Sequence, residues 1–266
     1  MYQTTYHRAS SIDEAASLFA KGKEAKYLAG GHTLIPVMKQ RLASPSDVID
    51  IGRIKDMVGI EVSADTVTIK AATTHYDVAT SSAVQGAIPA LAHLASGIGD
   101  PAVRHRGTIG GSLANNDPAA DYPAAVLALA ATIKTNKRSI SADDFFKGLF
   151  ATALADGEII TQVTFPIPAK AAYAKFPHPA SRFALTGVFV AKSRSGDVRV
   201  AATGASQNGV MRAGAIEAAL KANWSAGALD GVAIPATGLM SDIHGSSDYR
   251  ANLIKVMAQR AVTAAG

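Results

Sequence analysis

The chain of 266 residues contains no cysteine. Disulfide bonds, thiol catalysis and iron–sulfur clusters held by cysteine are therefore excluded within it. The seven histidines show neither an HxH nor an HExxH spacing, so the sequence predicts no metal site. Aromatic residues make up only 6% of the chain, and the basic residues are scattered despite a net charge of +5. This distribution argues against nucleic-acid binding.

The sequence also lacks an uninterrupted apolar run of membrane-spanning length, and it does not begin with the apolar core of a signal peptide. We therefore expect no membrane span and a cytoplasmic location. The GxSxG motif of hydrolases and the GK[ST] motif of P-loop proteins are absent. A hydrophobic content of 48% with 18% charged residues is typical of a folded globular chain, which at this length contains one to three domains.

Hydrophobic periodicity alone predicts a mixed α/β chain. Ser11 and Glu14 have the capping-box spacing and predict a helix that ends near Gly22. The pattern from 77 to 98 predicts a helix that Pro89 breaks or begins. The other predicted helices cover 34–42, 123–131, 141–150, 213–222 and 247–264. The predicted strands cover 26–29, 47–51, 59–63, 66–71, 131–135, 158–165, 183–192 and 197–203.

Two pairs of adjacent glycines, Gly30–Gly31 and Gly110–Gly111, carry the functional signal. Glycine allows the backbone to approach a ligand closely, and successive N–H groups in such a turn form a concave nest for a phosphate. Thr108 and Ser112 add hydroxyl groups beside the second pair. Asp121 follows, either as a hydrogen-bond acceptor for a ligand or as the N-cap of the next helix. Both pairs are also compatible with tight structural turns.

The segments AGGHT at 29–33, GDPAVRHRGTIGGS at 99–112 and DPAADYPA at 117–124 resemble the FAD-binding medium subunit of the molybdenum hydroxylases, the carbon monoxide dehydrogenase and xanthine dehydrogenase group. The resemblance extends over nearly the whole chain. It implies the α/β fold of the vanillyl-alcohol-oxidase-like flavoproteins, in which α+β subdomains hold FAD. The implied domains are FAD-binding subdomain 1 at 1–56, FAD-binding subdomain 2 at 57–168 and a C-terminal domain of sheet and helices at 169–266.

The resemblance also implies which residues contact FAD. They lie in two glycine segments and at three separate positions: Ala29, Gly30, Gly31, His32, Thr33, Leu34, Thr108, Ile109, Gly110, Gly111, Ser112, Asp121, Ile160 and Lys175. Asp121 would bind the ribityl or neighbouring hydroxyl groups, and Lys175 would stabilise a reduced anionic flavin. The family usually has Gln and Ser where this chain has His32 and Thr33. Asn115 and Asn116 are further candidates for facing the flavin ring.

The implied function is electron transfer, with no catalytic acid or base on this chain. Electrons would pass from iron–sulfur clusters on a small partner subunit through FAD to a quinone, NAD or oxygen. A large partner subunit would hold molybdopterin, and the whole would be a dimer of heterotrimers. The absence of cysteine agrees with this division, because the cluster ligands must then lie on another chain. The alternatives are a free-standing FAD-dependent reductase or oxidase of the same fold and a non-catalytic scaffold that has lost FAD.

Overall fold

The structure, a computed structural model, describes residues 1–266 and begins with a small parallel sheet. The three strands of this sheet are, in spatial order, β1 (Thr5–Arg8), β3 (Asp47–Asp50) and β2 (Ala25–Leu28). Helix α1 (Ile12–Lys21) connects β1 to β2 and begins where the Ser11 side chain accepts a hydrogen bond from the Glu14 amide. The N-cap half of the predicted capping box therefore forms, whereas the Glu14 carboxylate accepts a hydrogen bond from the Ser10 amide at 2.7 Å and not from that of Ser11. After β2 the chain turns at the first glycine pair and enters α2 (Leu34–Lys39).

The second sheet has five strands and is antiparallel. Its strands are, in spatial order, β4 (Ile60–Val62), β5 (Thr66–Lys70), β10 (Ile160–Pro166), β6 (Thr132–Thr135) and β7 (Ser139–Ser141). Between β5 and β6 the chain forms six short helices: α3 (His75–Thr80), α4 (Ser82–Ala87), α5 (Pro89–Ser96), α6 (Pro101–Arg104), α7 (Ile109–Asn115) and α8 (Tyr122–Ala128). Helix α9 (Ala142–Phe145) and the hairpin of β8 (Phe146–Gly148) and β9 (Ala151–Thr152) follow β7.

A third sheet, here called the C-terminal sheet, has four antiparallel strands. They are β11 (Lys170–Pro177), β12 (Ala184–Lys192), β13 (Val198–Thr203) and β14 (Met211–Arg212). Helices α10 (Gly214–Ala222) and α11 (Ser247–Ala265) cover one face, where Val188 and Val190 are buried. On the other face Tyr173 and Phe189 join the core that the first two sheets share. Because both faces are covered, β12 consists almost entirely of apolar residues.

The predicted mixed α/β fold, with a C-terminal sheet and helices, is confirmed. The sheets occupy successive stretches of chain, but the first core extends across all of them. The domain boundaries at 56–57 and 168–169 stay a prediction. No helix combines the length and the hydropathy that crossing a lipid bilayer requires.

Several details differ from the sequence-based assignments. Strands β1 and β11 were not predicted, and the helix predicted from 77 to 98 is three helices. It is interrupted because the Ser81 side chain caps a new helix and Pro89 occupies the first turn of another. The helix predicted from 141 to 150 ends at Phe145, and the chain continues into the β8–β9 hairpin.

Candidate functional site

A cavity of about 690 Å³ lies where the N-terminal sheet, α7 and the loop before β12 meet. This volume is within the range of small-molecule sites, about 300–1,000 Å³. The predicted site residues line the cavity, with the exception of Ile109 and Lys175. The side chain of Ile109 is buried in the core instead. The structure thus brings together the two glycine segments, Asp121 and Ile160.

The first glycine turn contributes a row of free backbone amides to this cavity. Gly31 has a φ of +79°, which favours glycine, and the chain then turns into α2. The five amides from residue 30 to residue 34 donate to no acceptor in the protein, and α2 has no side-chain cap. Consecutive N–H groups in such a turn form a nest for an anion. This wall of the cavity is therefore suited to a phosphate or diphosphate.

Gly30 is also the point at which the two glycine segments touch. A Cβ atom added to Gly30 would lie 2.7 Å from the Cα of Gly107 and closer still to the carbonyl oxygen of Arg106. No side chain fits between these two stretches of backbone. Glycine is required here by close packing, and the position of the free amides depends on that packing.

The second glycine pair differs from the predicted loop, because it lies within α7. Its amides are already bonded within the protein: the Ile109 amide donates to Thr73 (3.2 Å), the Gly110 amide to Ala71 (2.8 Å) and the Gly111 amide to the Thr108 hydroxyl (3.1 Å). The amides of this segment are therefore not free to form a phosphate nest, and its contact with FAD stays a prediction. A Cβ atom on Gly110 would lie 2.6 Å from the Cβ of Ala71, so this glycine allows α7 to pack against the end of β5.

Two side chains of α7 remain free beside the cavity. The Ser112 hydroxyl and the Asn115 amide group line it, and neither is hydrogen-bonded to the protein. Asn116, the other asparagine considered from the sequence, is buried with a φ of +44°. Its side chain donates to the carbonyl groups of Gly148 and Ala151 at 2.8 Å each. Asn116 is therefore structural, and Asn115 is the asparagine that can meet a ligand.

Asp121 occupies the N-cap position of α8, but its side chain makes no capping hydrogen bond of the kind that the sequence had suggested. The carboxylate instead forms a buried ion pair with Lys175. It accepts a hydrogen bond from the Tyr173 hydroxyl at 2.5 Å on Oδ1 and one from Lys175 Nζ at 3.2 Å on Oδ2, and Lys175 Nζ lies 3.0 Å from Oδ1. Lys175 also donates to the carbonyl oxygen of Gly97 at 2.8 Å. Burial raises the pKa of Asp121, and the charge of Lys175 opposes that rise. Lys175 thus lies behind a residue of the cavity wall, with its charge already paired.

Reasoning from the sequence did not single out Tyr173. It lies two residues before Lys175 on β11, and side chains two apart on a strand share one face. The alternation of side chains along β11 could have identified Tyr173, because it places Tyr173 and Lys175 on the same face, where both contact Asp121. Gly187 on the neighbouring strand provides room for the Tyr173 ring, because a Cβ atom there would lie 2.9 Å from Tyr173 Cζ.

His75 is a second residue for which the sequence suggested no role. It lines the cavity and is only 5% exposed, and its Nδ1 has no hydrogen-bond partner. A Cβ atom on Gly107 would lie 2.6 Å from His75 Nε2, so the ring supports the backbone that Gly30 contacts. Burial lowers the pKa of His75 to about 4, with smaller contributions from His32 and Arg104. The imidazole is therefore neutral at pH 7.

We expect His75 to make the protein less stable in acid. An exposed histidine in the unfolded chain takes up a proton near pH 6.5, whereas folded His75 does so near pH 4. Between these values the unfolded state binds more protons, so the free energy of unfolding falls as the pH is lowered through this window. The expected loss is up to about 3 kcal/mol. Urea denaturation of the wild type and His75→Asn between pH 7 and pH 4 checks this, since the variant should lose less stability; equal losses would contradict it.

Glu158 also lines the cavity but is committed to the protein. Its carboxylate accepts hydrogen bonds from Arg138 Nε at 3.0 Å, the Thr135 hydroxyl at 2.7 Å and the Ala155 amide at 2.8 Å. The Arg138 hydrogen bonds lower the pKa of Glu158 to about 2. Glu158 is therefore a fixed anion that holds the chain after β9 and not a proton donor.

Comparison with known proteins identifies the family of the chain that forms this cavity. Residues 2–168 match the model of the FAD-binding domain in molybdopterin dehydrogenases. The chain belongs to this family. Its membership confirms the resemblance inferred from the two glycine segments and makes the chain the FAD-binding component of an oxidoreductase.

Relatives of this FAD-binding family match the chain from end to end. The medium chain of carbon monoxide dehydrogenase from Hydrogenophaga pseudoflava is 35% identical over 98% of this chain and 96% of its own length. The medium subunit of nicotine 6-hydroxylase from Paenarthrobacter nicotinovorans has the same identity and the same coverage. Because relatives with such different names are equally similar, the FAD-binding chain does not reveal the substrate.

Solved structures of this family confirm the fold. A chain of the reconstituted carbon monoxide dehydrogenase from Oligotropha carboxidovorans superposes with a TM-score of 0.91 at 33% identity, covering 99% of this chain and 97% of that chain. A chain of quinoline 2-oxidoreductase from Pseudomonas putida 86 gives a TM-score of 0.87 at 30% identity, with coverage of 99% and 96%. The C-terminal sheet and its helices are therefore part of the shared architecture.

Proposed function

We propose that this chain transfers electrons through FAD within a molybdopterin-dependent dehydrogenase. The observation that carries the proposal is the row of free amides from residue 30 to residue 34, which faces a cavity of suitable size in a chain of the FAD-binding family. FAD, when bound, accepts and releases the electrons. The protein binds the cofactor, orients it and controls its surroundings.

The residues present fit FAD. The free amides after Ala29 suit the diphosphate, and the His32 and Thr33 side chains lie exposed at the same turn. The unpaired Ser112 hydroxyl and Asn115 amide suit the sugar and ribityl hydroxyl groups. Apolar lining residues suit the ring systems, and they include Leu28, Leu34, Ile51, Met57, Ile98 and Ile160. We assign Asp121 to the polar part of the cavity and Lys175 to supporting it.

The structure supports a more limited role for Lys175 than the direct flavin contact that the family resemblance implied. Its ammonium group is paired with the Asp121 carboxylate, so the pair carries no net charge toward the cavity while Asp121 is ionised. We propose that Lys175 tunes the flavin through Asp121, by fixing the direction and the charge of that carboxylate. A direct contact between Lys175 and the flavin is not needed for this role.

The partners follow from the relatives' names and from the missing cysteines. The similar chains are called medium chains or medium subunits, which supports a complex with a large and a small subunit. We propose that the large subunit holds molybdopterin and that the small one holds the iron–sulfur clusters, because this chain has no cysteine to bind them. The further proposals are a dimer of heterotrimers, a cytoplasmic location, and a quinone, NAD or oxygen as the electron acceptor.

Three buried titratable groups of the cavity, Glu158, His75 and Asp121, favour electron transfer over a free-standing reductase or oxidase. Such an enzyme needs a proton donor with a suitable pKa near its substrate. Glu158 is held as an anion by Arg138, and His75 is held neutral by burial. Asp121 is bonded to Tyr173 and Lys175. The second alternative, a scaffold without FAD, leaves the five unpaired amides without a function.

We expect the purified chain to bind FAD much more tightly than riboflavin, which has no phosphate. Hydrogen bonds to charged groups contribute about 1.5–3 kcal/mol each, so the loss of two at the amide row weakens binding roughly 100-fold or more. Titrations of the flavin-free chain followed by flavin fluorescence measure both affinities. Equal affinities would remove the amide row from the site.

Co-purification from the native host separates the remaining alternatives. Flavin absorption together with iron–sulfur absorption and two additional chains is the expected result. A flavin-containing chain without partners that turns over a reductant alone would support the free-standing enzyme. A colourless chain that takes up no added FAD would support the scaffold and overturn the proposal.

A further inference from the structure

One wall of the cavity is held in place by the C-terminal sheet. Residues 117–121 connect α7 to α8, and Asp117, Ala120 and Asp121 line the cavity. The segment belongs to no sheet. Its internal hydrogen bonds make a small turn, in which the Asp117 side chain accepts a hydrogen bond from the Ala119 amide and the Asp117 carbonyl oxygen accepts one from the Ala120 amide. The position of this turn must therefore be set by what it contacts.

Several positioning contacts come from the end of β13 and the residue after it, in addition to those of Tyr173 and Lys175 with Asp121 and of the Ala184 amide with the Ala119 carbonyl oxygen at 3.4 Å. The Thr203 hydroxyl lies 2.9 Å from the carbonyl oxygen of Pro118 and 2.7 Å from that of Ala120. The amide of Gly204 donates to Pro118 at 2.8 Å. Thr203 is fully buried, so water does not compete for these carbonyl groups. Its single hydroxyl proton is shared between two acceptors that lie on either side of Ala119.

Helix α11 contacts the same end of β13 through Arg250, which hydrogen-bonds to the carbonyl oxygen of Gly204. Gly204 has a φ of +79° and leaves the strand direction. Its carbonyl oxygen and that of Leu185 accept hydrogen bonds from Arg250 Nη1 at 2.7 and 2.8 Å. Arg250 is 2% exposed and is anchored in turn by Asp242 at 2.8 Å. A continuous series of hydrogen bonds therefore runs from α11 through Gly204 and Thr203 to the cavity wall.

We propose that Thr203 is a positioning residue for the cofactor, which fixes the 117–121 turn and through it Asp121, with Arg250 supporting it from α11. This inference rests on the proposed FAD site. Thr203 does not line the cavity, so it acts only through the turn. The neighbouring bond from Tyr173 to Asp121 comes from the same sheet and serves the same end of the turn.

The test compares two isosteric substitutions, Thr203→Val and Thr186→Val. Thr186 is a matched control because it is equally buried in the same sheet and its hydroxyl donates to the carbonyl oxygen of Leu185 at 2.8 Å and not to the turn. The Arg250 hydrogen bond to the same carbonyl oxygen does not need this hydroxyl and stays in place in the control. Both variants should lose similar thermal stability. Only Thr203→Val should bind FAD about tenfold more weakly and change the visible circular dichroism of the bound flavin at saturation. Thr203→Ser, which restores the hydroxyl, should recover both properties.

Each outcome distinguishes the inference from the proposed function. Wild-type affinity and spectrum in Thr203→Val would overturn the positioning role and leave the FAD site intact. Failure of the wild type to bind FAD would overturn the proposed function itself. If Thr203→Val does not fold, Arg250→Lys is measured in its place, because lysine keeps the charge but not the forked pair of donors. An unchanged flavin spectrum in folded Arg250→Lys would then overturn the inference.

Discussion

Replacing Gly30 with alanine is expected to reduce FAD affinity at least about 100-fold, since two or more charge-assisted hydrogen bonds are lost. The added Cβ atom would lie 2.7 Å from the Cα of Gly107 and closer to the carbonyl oxygen of Arg106. Because both neighbours are backbone atoms, the first glycine turn must move away from the backbone of Arg106 and Gly107. The five free amides then no longer converge on one anion. Titration with FAD, followed by fluorescence, measures the effect.

The matched control is Gly86→Ala. Gly86 lies in α4, and a Cβ atom there meets nothing within 4 Å. Alanine is also the better helix former by about 1 kcal/mol, so this variant should be at least as stable as the wild type and bind FAD normally. A Gly30→Ala variant that binds FAD as tightly as Gly86→Ala would contradict the assignment of the amide row.

Replacing Lys175 with methionine is expected to lower the free energy of unfolding by about 3–5 kcal/mol, the usual cost of leaving one member of a buried ion pair alone. Asp121 is 4% exposed, and its remaining partner is the neutral Tyr173 hydroxyl. The double variant Asp121→Asn/Lys175→Met should recover most of the loss, because it removes both charges. Denaturant unfolding at pH 7 of the two single variants and the double variant gives the coupling energy.

A more exposed pair provides the comparison for this effect. Lys70 and Glu61 lie 3.5 Å apart, and their side chains are 25% and 70% exposed. Lys70→Met should therefore cost less than about 1 kcal/mol. If Lys175→Met is no more destabilising than Lys70→Met, the pair with Asp121 does not form in the folded protein as described.

The two glycine pairs mark the limit of what the sequence predicts here. Both are Gly–Gly beside hydroxyl residues, and both lie at the cavity. The first pair leaves its amides free, whereas the amides of the second are bonded to Thr73, Ala71 and Thr108. The difference depends on the end of β5, which lies next to α7 only after folding. A local pattern therefore locates both segments but does not show which one keeps its amides free.

The Asp121–Lys175 pair shows the same limit over a longer distance. The local pattern suggested only that Asp121 is an N-cap. It could not reveal the partners of Asp121, because they lie more than fifty residues away on β11. That strand was itself missed, since its alanine-rich sequence has low β propensity and its structure depends on pairing with β12. In contrast, α1 and the β12–β13 hairpin were predicted well, because the N-cap at Ser11 and the turn at Ser195–Gly196 are local signals.

The hydrogen bonds between the C-terminal sheet and the 117–121 turn have a thermodynamic consequence. Coupling between two binding events is reciprocal: whatever holds the sheet against the turn raises the affinity for the flavin, and the flavin strengthens that attachment by the same factor. Arg250 extends this linkage to α11, although no residue of α11 lines the cavity. A change in how α11 packs on the sheet therefore changes the affinity for the flavin, and flavin binding in turn stabilises that packing.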